Sequence, residues 1–175
     1  MLLEIAATGA REAGAEVTVL ELNDLPLPLY NQDIEDSTGE PSEVVELKKM
    51  FMTHQGLLIA SPEYNGSLTA ALKNLIDWVS RADQQHPPLA CFAGKVAGIM
   101  SVSPGKMGGS RGLMHLRTIL QGIKVHVLAH QICVADSSRS FNEEGGLVEP
   151  SFDQSTRLLG SQVAHQIKET ATSAA

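Results

Sequence analysis

Short apolar runs alternate along the chain with longer segments in which apolar residues recur every three or four positions. The short runs are rich in Val, Leu and Ile and are bounded by Gly, Pro, Asn or Asp, which is typical of buried strands. They predict strands at residues 16–22, 55–61, 95–103 and 124–134. Strands that alternate with helices form parallel sheets covered on both faces, so the pattern predicts a doubly wound α/β fold of three layers.

The helical spacing is clearest between the second and third predicted strands, where Ser67 is placed to cap a helix. Similar stripes predict helices around residues 44–51, 113–120 and 159–167, and a weaker one covers residues 2–13. The clearest stripe consists of Leu68, Ala71, Leu72, Leu75, Ile76 and Val79.

Residues 23–42 show no convincing period. They contain the apolar stretch Leu-Pro-Leu-Pro-Leu-Tyr at 25–30, which predicts that this segment packs on another part of the molecule.

Composition bounds the class of protein. The length of 175 residues predicts a single domain over residues 1–175, and the content of 43% hydrophobic and 19% charged residues excludes a disordered chain or a coiled coil. No apolar run approaches the ~20 residues of a membrane span, and the start lacks the basic region of a signal peptide, so we expect a cytoplasmic protein. The net charge of −7 argues against nucleic-acid and anionic-membrane partners. Cys91 and Cys133 are far apart, and the histidines show no metal-ligand spacing, so no metal site is expected.

Acidic residues are absent between Asp83 and Asp136, whereas five basic residues fall in that interval. Two of them, Lys106 and Arg111, border a glycine-rich loop that an anion could approach. Exclusion of charge from buried strands explains the same gap equally well.

Two loops follow predicted strands and lead into predicted helices. Loop A, residues 61–67, reads Ser-Pro-Glu-Tyr-Asn-Gly-Ser, and loop B, residues 103–109, reads Ser-Pro-Gly-Lys-Met-Gly-Gly. Successive parallel strands end at the same edge of a sheet, where ligands bind in such folds. The loops are therefore expected to converge on one crevice and to offer backbone N–H groups to a flat heterocycle.

The stretch Ser-Pro-Glu-Tyr-Asn-Gly-Ser-Leu-Thr-Ala-Ala-Leu-Lys-Asn-Leu-Ile-Asp-Trp at 61–78 resembles the flavin-contacting loop and helix of the NADPH-dependent FMN reductase family. The resemblance extends to residues 25–33, to loop B and to residues 115–117. It implies a flavodoxin-like fold that binds FMN, uses NADPH or NADH, and passes electrons to a small acceptor such as a quinone. It also implies a homodimer or homotetramer.

The resemblance further implies that the cofactor performs the chemistry, so no catalytic side chain is expected. Family members open with a strand and a Gly-Ser-x-Arg loop that holds the FMN phosphate, and neither precedes residue 1 here. We therefore expect a sheet without that first strand, in which Lys106 or Arg111 replaces the phosphate loop only in part. The implied cofactor-binding residues are Pro62, Glu63, Tyr64, Asn65, Gly66, Ser103, Gly105, Gly108 and Gly109.

Two other functions stay open on the residues alone. Residues 108–112 fit the Gly-x-Ser-x-Gly pattern of serine hydrolases, with Ser110 as nucleophile and Asp136 or Asp153 followed by His165 as partners. The pattern is displaced from the end of its strand by most of loop B, which disfavours this function. The third possibility is a truncated, non-catalytic flavodoxin-like subunit that binds no cofactor.

Overall fold

A parallel four-stranded sheet forms the centre of the computed structural model, which describes residues 1–173. Its strands are β1 (Gly56–Ala60), β2 (Val96–Val102), β3 (His126–Val127) and β4 (Ile132–Val134). β2 is central, because β1 pairs with one of its sides while β3 and β4 pair with the other. The predicted α/β class with a parallel sheet is confirmed.

Helices cover both faces of the sheet, and each face has its own apolar core. On one face, Leu2, Met100 and Leu159 belong to a core shared by α1 and α6. On the other face, α3, α4 and α5 contribute side chains such as Leu47, Leu75 and Leu116. No helix within residues 1–173 is long and apolar enough to cross a membrane. The helices are α1 (Leu2–Glu12), α2 (Gln32–Thr38), α3 (Ser42–Thr53), α4 (Ala70–Val79), α5 (Ser110–Gly122) and α6 (Pro150–Ser173), with a short 3-10 helix at Leu22–Asp24.

Glycines allow α1 and α6 to cross with their backbones in contact. A Cβ built on Gly9 would collide with the Arg157 carbonyl of α6, and one on Gly160 would collide with the Ala6 carbonyl of α1. Both glycines are buried, and Ala6 is fully buried beside them. Small residues on both helices therefore fix how closely this layer packs.

The strand predicted at residues 16–22 is wrong, because this segment joins no ladder of the sheet. It packs on the core only through half-buried side chains such as Leu20, and Thr18 Oγ1 lies 3.0 Å from His54 Nε2. A strand exists only where a neighbour supplies hydrogen-bond partners, and within residues 1–173 the outer side of β1 has no strand beside it.

The strand predicted at residues 124–134 is interrupted between β3 and β4. The Arg117 guanidinium lies beside the break and donates to the carbonyls of Leu128 (2.9 Å) and Ala129 (3.4 Å) and to Gln131 Oε1 (3.0 Å). These carbonyls lack ladder partners, so the arginine satisfies groups that a continuous strand would have paired.

The segment at residues 23–42 packs on α4, as its apolar stretch predicted. The Trp78 indole N–H donates to the Pro28 carbonyl at 2.8 Å, and Asn74 Oδ1 accepts from the Tyr30 amide at 2.8 Å. The Tyr30 ring meets Trp78 edge to face, with ring centres 4.9 Å apart. The segment is thereby fastened across the outside of the helix that follows loop A.

The cap of α4 differs from the prediction by two residues. Thr69, not Ser67, is the N-cap, and its hydroxyl accepts from the Leu72 amide at 3.2 Å. Ser67 instead pairs through its backbone with Tyr64 and closes loop A.

Candidate functional site

Loop A is a tight turn at the carboxyl end of β1. Tyr64 and Ser67 exchange two backbone hydrogen bonds of 3.0 and 3.1 Å. Asn65 and Gly66, at the tip, have φ values of +51° and +79°. Their amides have no acceptor among the described residues, so the tip presents two backbone donors to a ligand.

Loop B lies at the carboxyl end of β2 and is packed against the sheet. Gly108 and Gly109 have φ values of +55° and +81°, and both are buried. A Cβ on Gly108 would lie 2.7 Å from the Cys133 carbonyl carbon, and one on Gly109 would collide with Ser101 Oγ. Both positions therefore require glycine, for backbone conformation and for space.

Glu63 joins loop A to the start of α5. Its Oε2 accepts from the Gly112 amide at 3.0 Å, and its Oε1 accepts from Arg111 NH2 at 2.9 Å. Its side chain is only 8% exposed, and a Cβ on Gly109 would lie 3.7 Å from Glu63 Cβ. The hydrogen bond from the Gly112 amide, followed by the Arg111 guanidinium, lowers the pKa of Glu63 from its ordinary value of 4.5. The carboxylate is therefore ionised at neutral pH and holds loop A against the start of α5.

An apolar groove of about 720 Å³ opens beside loop A, between the start of α4 and the middle of α5. His115 Nδ1 lies 3.0 Å from Ser67 Oγ on its wall. No residue of loop B lines this groove, so loop B adjoins loop A without sharing the groove. Its lining includes Tyr64, Asn65, Leu68, His115, Thr118 and Ile119.

The structure brings all nine implied cofactor-binding residues to one edge of the sheet, in two adjacent loops. The five that belong to loop A form its tip or lie next to it, and Tyr64 among them is 63% exposed. In loop B, Ser103 Oγ accepts from the Gly105 amide at 3.2 Å and shapes the turn. Contact between these nine residues and a cofactor stays a prediction.

These residues fit the isoalloxazine ring that the resemblance implies. The two unpaired amides of loop A match the hydrogen-bonding edge of such a ring, and the adjoining groove is mostly apolar. Ser101 Oγ, beneath Gly109, is buried without a hydrogen-bond partner among the described residues. For the phosphate, Arg111 is engaged by Glu63, whereas Lys106 has no ion pair within residues 1–173.

The serine hydrolase is not supported. Ser110 is the first residue of α5 and is separated from the end of β2 by loop B. Asp153 binds Arg157 Nε at 2.9 Å, and no hydrogen bond in the described part of the chain joins Ser110 to His165 or to Asp136. A triad requires these side chains in sequence, so the Gly-x-Ser-x-Gly match is a coincidence of the glycine loop.

Sequence reasoning missed two features of this region. It placed the main chain of Glu63 beside the cofactor, which stays a prediction, and named Arg111 as a candidate anion ligand, but it did not foresee that the two side chains bind each other. It also overlooked Ser101. Only Gly112 offered a signal, because a glycine in the first turn of a helix indicates close approach by another segment, and a Cβ there would lie 3.1 Å from the Ser67 carbonyl.

Comparisons with known proteins agree on one family. The model of the family described as NADPH-dependent FMN reductase matches residues 1–139. The NAD(P)H-dependent FMN reductase of Pseudomonas aeruginosa is 35% identical over 146 residues, which cover 82% of this chain and 74% of that protein. The probable NADPH:quinone oxidoreductase 2 of Oryza sativa subsp. japonica is 33% identical over 165 residues, covering 85% and 75%.

Solved structures confirm the flavodoxin-like fold. FerB, a flavoenzyme NAD(P)H:(acceptor) oxidoreductase from Paracoccus denitrificans, superposes with a TM-score of 0.75 at 21% identity, over 97% of this chain and 91% of its own. An archaeal flavodoxin superposes with a TM-score of 0.59 at 10% identity, over 95% and 88%.

Proposed function

The chain belongs to the NADPH-dependent FMN reductase family, which makes it an FMN-binding, NAD(P)H-dependent oxidoreductase, and from that premise we propose that it passes electrons to a small quinone. The observation that carries the proposal is the apolar groove beside the tip of loop A. Its volume of about 720 Å³ can hold a planar ring, and Asn65, one of the two residues whose amides are expected to face the flavin, lies on its wall. Relatives named quinone reductases support the same acceptor class.

FMN, when bound, would supply the redox chemistry, namely hydride transfer from the nicotinamide and electron transfer to the acceptor. The protein's part is to bind, orient and polarise. The amides of Asn65 and Gly66 would hold the edge of the ring and stabilise negative charge on it. The side chains of Tyr64, Leu68 and Ile119 would exclude water and receive the acceptor.

We test loop A with Gly66→Val. Valine is strained at a φ of +79°, so the tip must change shape. We expect at least a tenfold loss of FMN affinity, measured by quenching of flavin fluorescence. Gly94→Val is the matched control, because Gly94 has a φ of +81° and equally open surroundings but precedes β2 at the opposite end of the sheet. Equal FMN affinity in both variants would refute the assignment of loop A.

We test the groove with Thr118→Glu, which places a charge on its exposed wall. We expect KM for 1,4-benzoquinone to rise at least fivefold with FMN affinity unchanged. Thr170→Glu is the control: both threonines are exposed helical residues whose hydroxyls bind the carbonyl four positions earlier. An unchanged KM in Thr118→Glu would remove the groove as the acceptor site. A wild-type protein whose melting temperature does not respond to FMN would instead support the non-catalytic subunit.

We also infer that the protein is a cytoplasmic homodimer or homotetramer. Exposed apolar side chains on loop A, loop B and α5, namely Tyr64, Met107 and Met114, support association of copies at this end of the molecule.

A further inference from the structure

The N-terminus of α5 lacks a cap of its own. The residue before the helix is Gly109, which has no side chain, and the first turn contains no acidic residue. The amides of a first helical turn need acceptors from elsewhere, or they are left unpaired in a partly buried place. The Glu63 carboxylate, which comes from loop A 49 positions earlier in the chain than Gly112, supplies that acceptor.

The fit around this carboxylate is close. A Cβ on Gly112 would lie 3.4 Å from Glu63 Cβ and 3.1 Å from the Ser67 carbonyl, so glycine lets loop A lie directly on α5. Arg111 completes the contact, but its side chain is 65% exposed whereas that of Glu63 is 8% exposed. The shielded hydrogen bond to Gly112 therefore contributes more than the ion pair, which water screens.

We propose that Glu63 is a positioning residue for the flavin: its carboxylate caps α5 across the two loops and thereby fixes the donors of loop A. This inference rests on the proposed function. Asn65 and Gly66 are two and three residues beyond Glu63, so rotation of the Glu63 backbone moves both amides. Within residues 1–173 the hydrogen bonds of the Glu63 side chain go to Arg111 and Gly112 of α5, so its effect on loop A is transmitted through the backbone.

If the role of Glu63 were purely structural, its replacement would lower the stability of the fold and leave flavin binding intact. Asp153 is a suitable control for that case, because its carboxylate, like that of Glu63, binds an arginine at 2.9 Å, and because it lies in the first turn of α6. It belongs to α6, which covers the opposite face of the sheet from α5. Removal of either carboxylate takes away a carboxylate–arginine pair in the first turn of a helix, but only Glu63 also accepts from a helix amide and holds loop A.

The experiment compares wild type with Glu63→Gln, Glu63→Ala, Asp153→Asn and Asp153→Ala. The melting temperature is measured without flavin, and dissociation constants are measured for FMN and for riboflavin, which has no phosphate. We expect both alanine variants to melt a few degrees lower. Only Glu63→Ala should bind each flavin at least tenfold more weakly, and Glu63→Gln, which keeps an acceptor for the Gly112 amide, should be intermediate.

The dissociation constants for riboflavin are compared at a temperature where both proteins are folded. A value for Glu63→Ala within twofold of the wild-type value would overturn the inference. Equal losses of affinity in Glu63→Ala and Asp153→Ala would also overturn it, since the effect would then be general destabilisation. Absence of FMN and riboflavin binding by the wild-type protein would contradict the proposed function instead.

Discussion

At the scale of single residues, two long basic side chains donate hydrogen bonds to backbone carbonyls where a strand or a helix ends. Arg117 satisfies the carbonyls at the break between β3 and β4. Lys95 is buried and donates to the carbonyls of Phe51, at 2.7 Å, and His54, at the end of α3. Burial lowers the pKa of Lys95, so the ammonium is held there against a desolvation cost. Both side chains therefore donate mainly to backbone carbonyls.

Replacing Arg117 with lysine tests this role. A lysine ammonium cannot reach the spread of acceptors that the guanidinium fork contacts, so some carbonyls lose their donor. We expect the free energy of unfolding to fall by about 2 kcal/mol, measured in urea. Arg11→Lys is the control, because Arg11 forms an exposed ion pair with Glu4 and should change stability by less than about 0.5 kcal/mol. Equal effects would show that Arg117 is an ordinary surface arginine.

Which residue would cap which helix was only partly predictable. The Ser67 hydroxyl had the right chemistry for the cap of α4, but loop A closes on itself and moves the cap to Thr69. Glu63 was expected beside the cofactor, which stays a prediction, but the sequence did not indicate that its carboxylate binds a helix start far along the chain. Sequence shows which groups can form hydrogen bonds; the fold decides which of them meet.

At the scale of elements, helices were more predictable than strands. A helix closes its hydrogen bonds within itself, so the apolar stripes of α3, α4, α5 and α6 sufficed to locate them. A strand depends on its neighbour, and residues 16–22 have the composition of a strand without the partner. β3 and β4 are likewise short because the predicted strand is interrupted between them. The sequence pattern did not indicate that Arg117 would bind the carbonyls at this interruption.

The crossing of α1 and α6 gives a prediction at this scale. Gly160→Ala places a methyl group against the Ala6 carbonyl, and the two helices must separate. We expect about 3 kcal/mol of destabilisation by urea unfolding. Gly122→Ala is the matched control: Gly122 ends α5 with nothing within 4 Å of its Cβ direction, so alanine there should stabilise by up to about 1 kcal/mol. A neutral Gly160→Ala would mean that the helices are not in close contact.

At the scale of the whole molecule, two cores share one sheet. Met100 of β2 belongs to one core, and its neighbour Ile99 belongs to the other, so neither face can lose its packing without exposing the strand between them. We therefore propose that residues 1–175 fold as one domain, as the length predicted.

Coincident unfolding transitions would test this proposal. Trp78 is fully buried under the segment at residues 23–42 and reports on one face, whereas far-UV circular dichroism reports on all the helices, including α1 and α6. We expect the two signals to share one midpoint in urea, because a single cooperative unit unfolds as a whole. Midpoints that differ by more than the experimental error would show that the faces unfold separately.

The outer side of β1 has a consequence for handling the protein in concentrated solution. Within residues 1–173 this side of β1 pairs with no strand, and Gly56–Ala60 contains neither a lysine nor a proline, the residues that usually protect an edge strand from further pairing. Another extended chain can therefore align along it. Aggregation on storage or heating is expected to begin at this strand, and a single charge introduced there would suppress it.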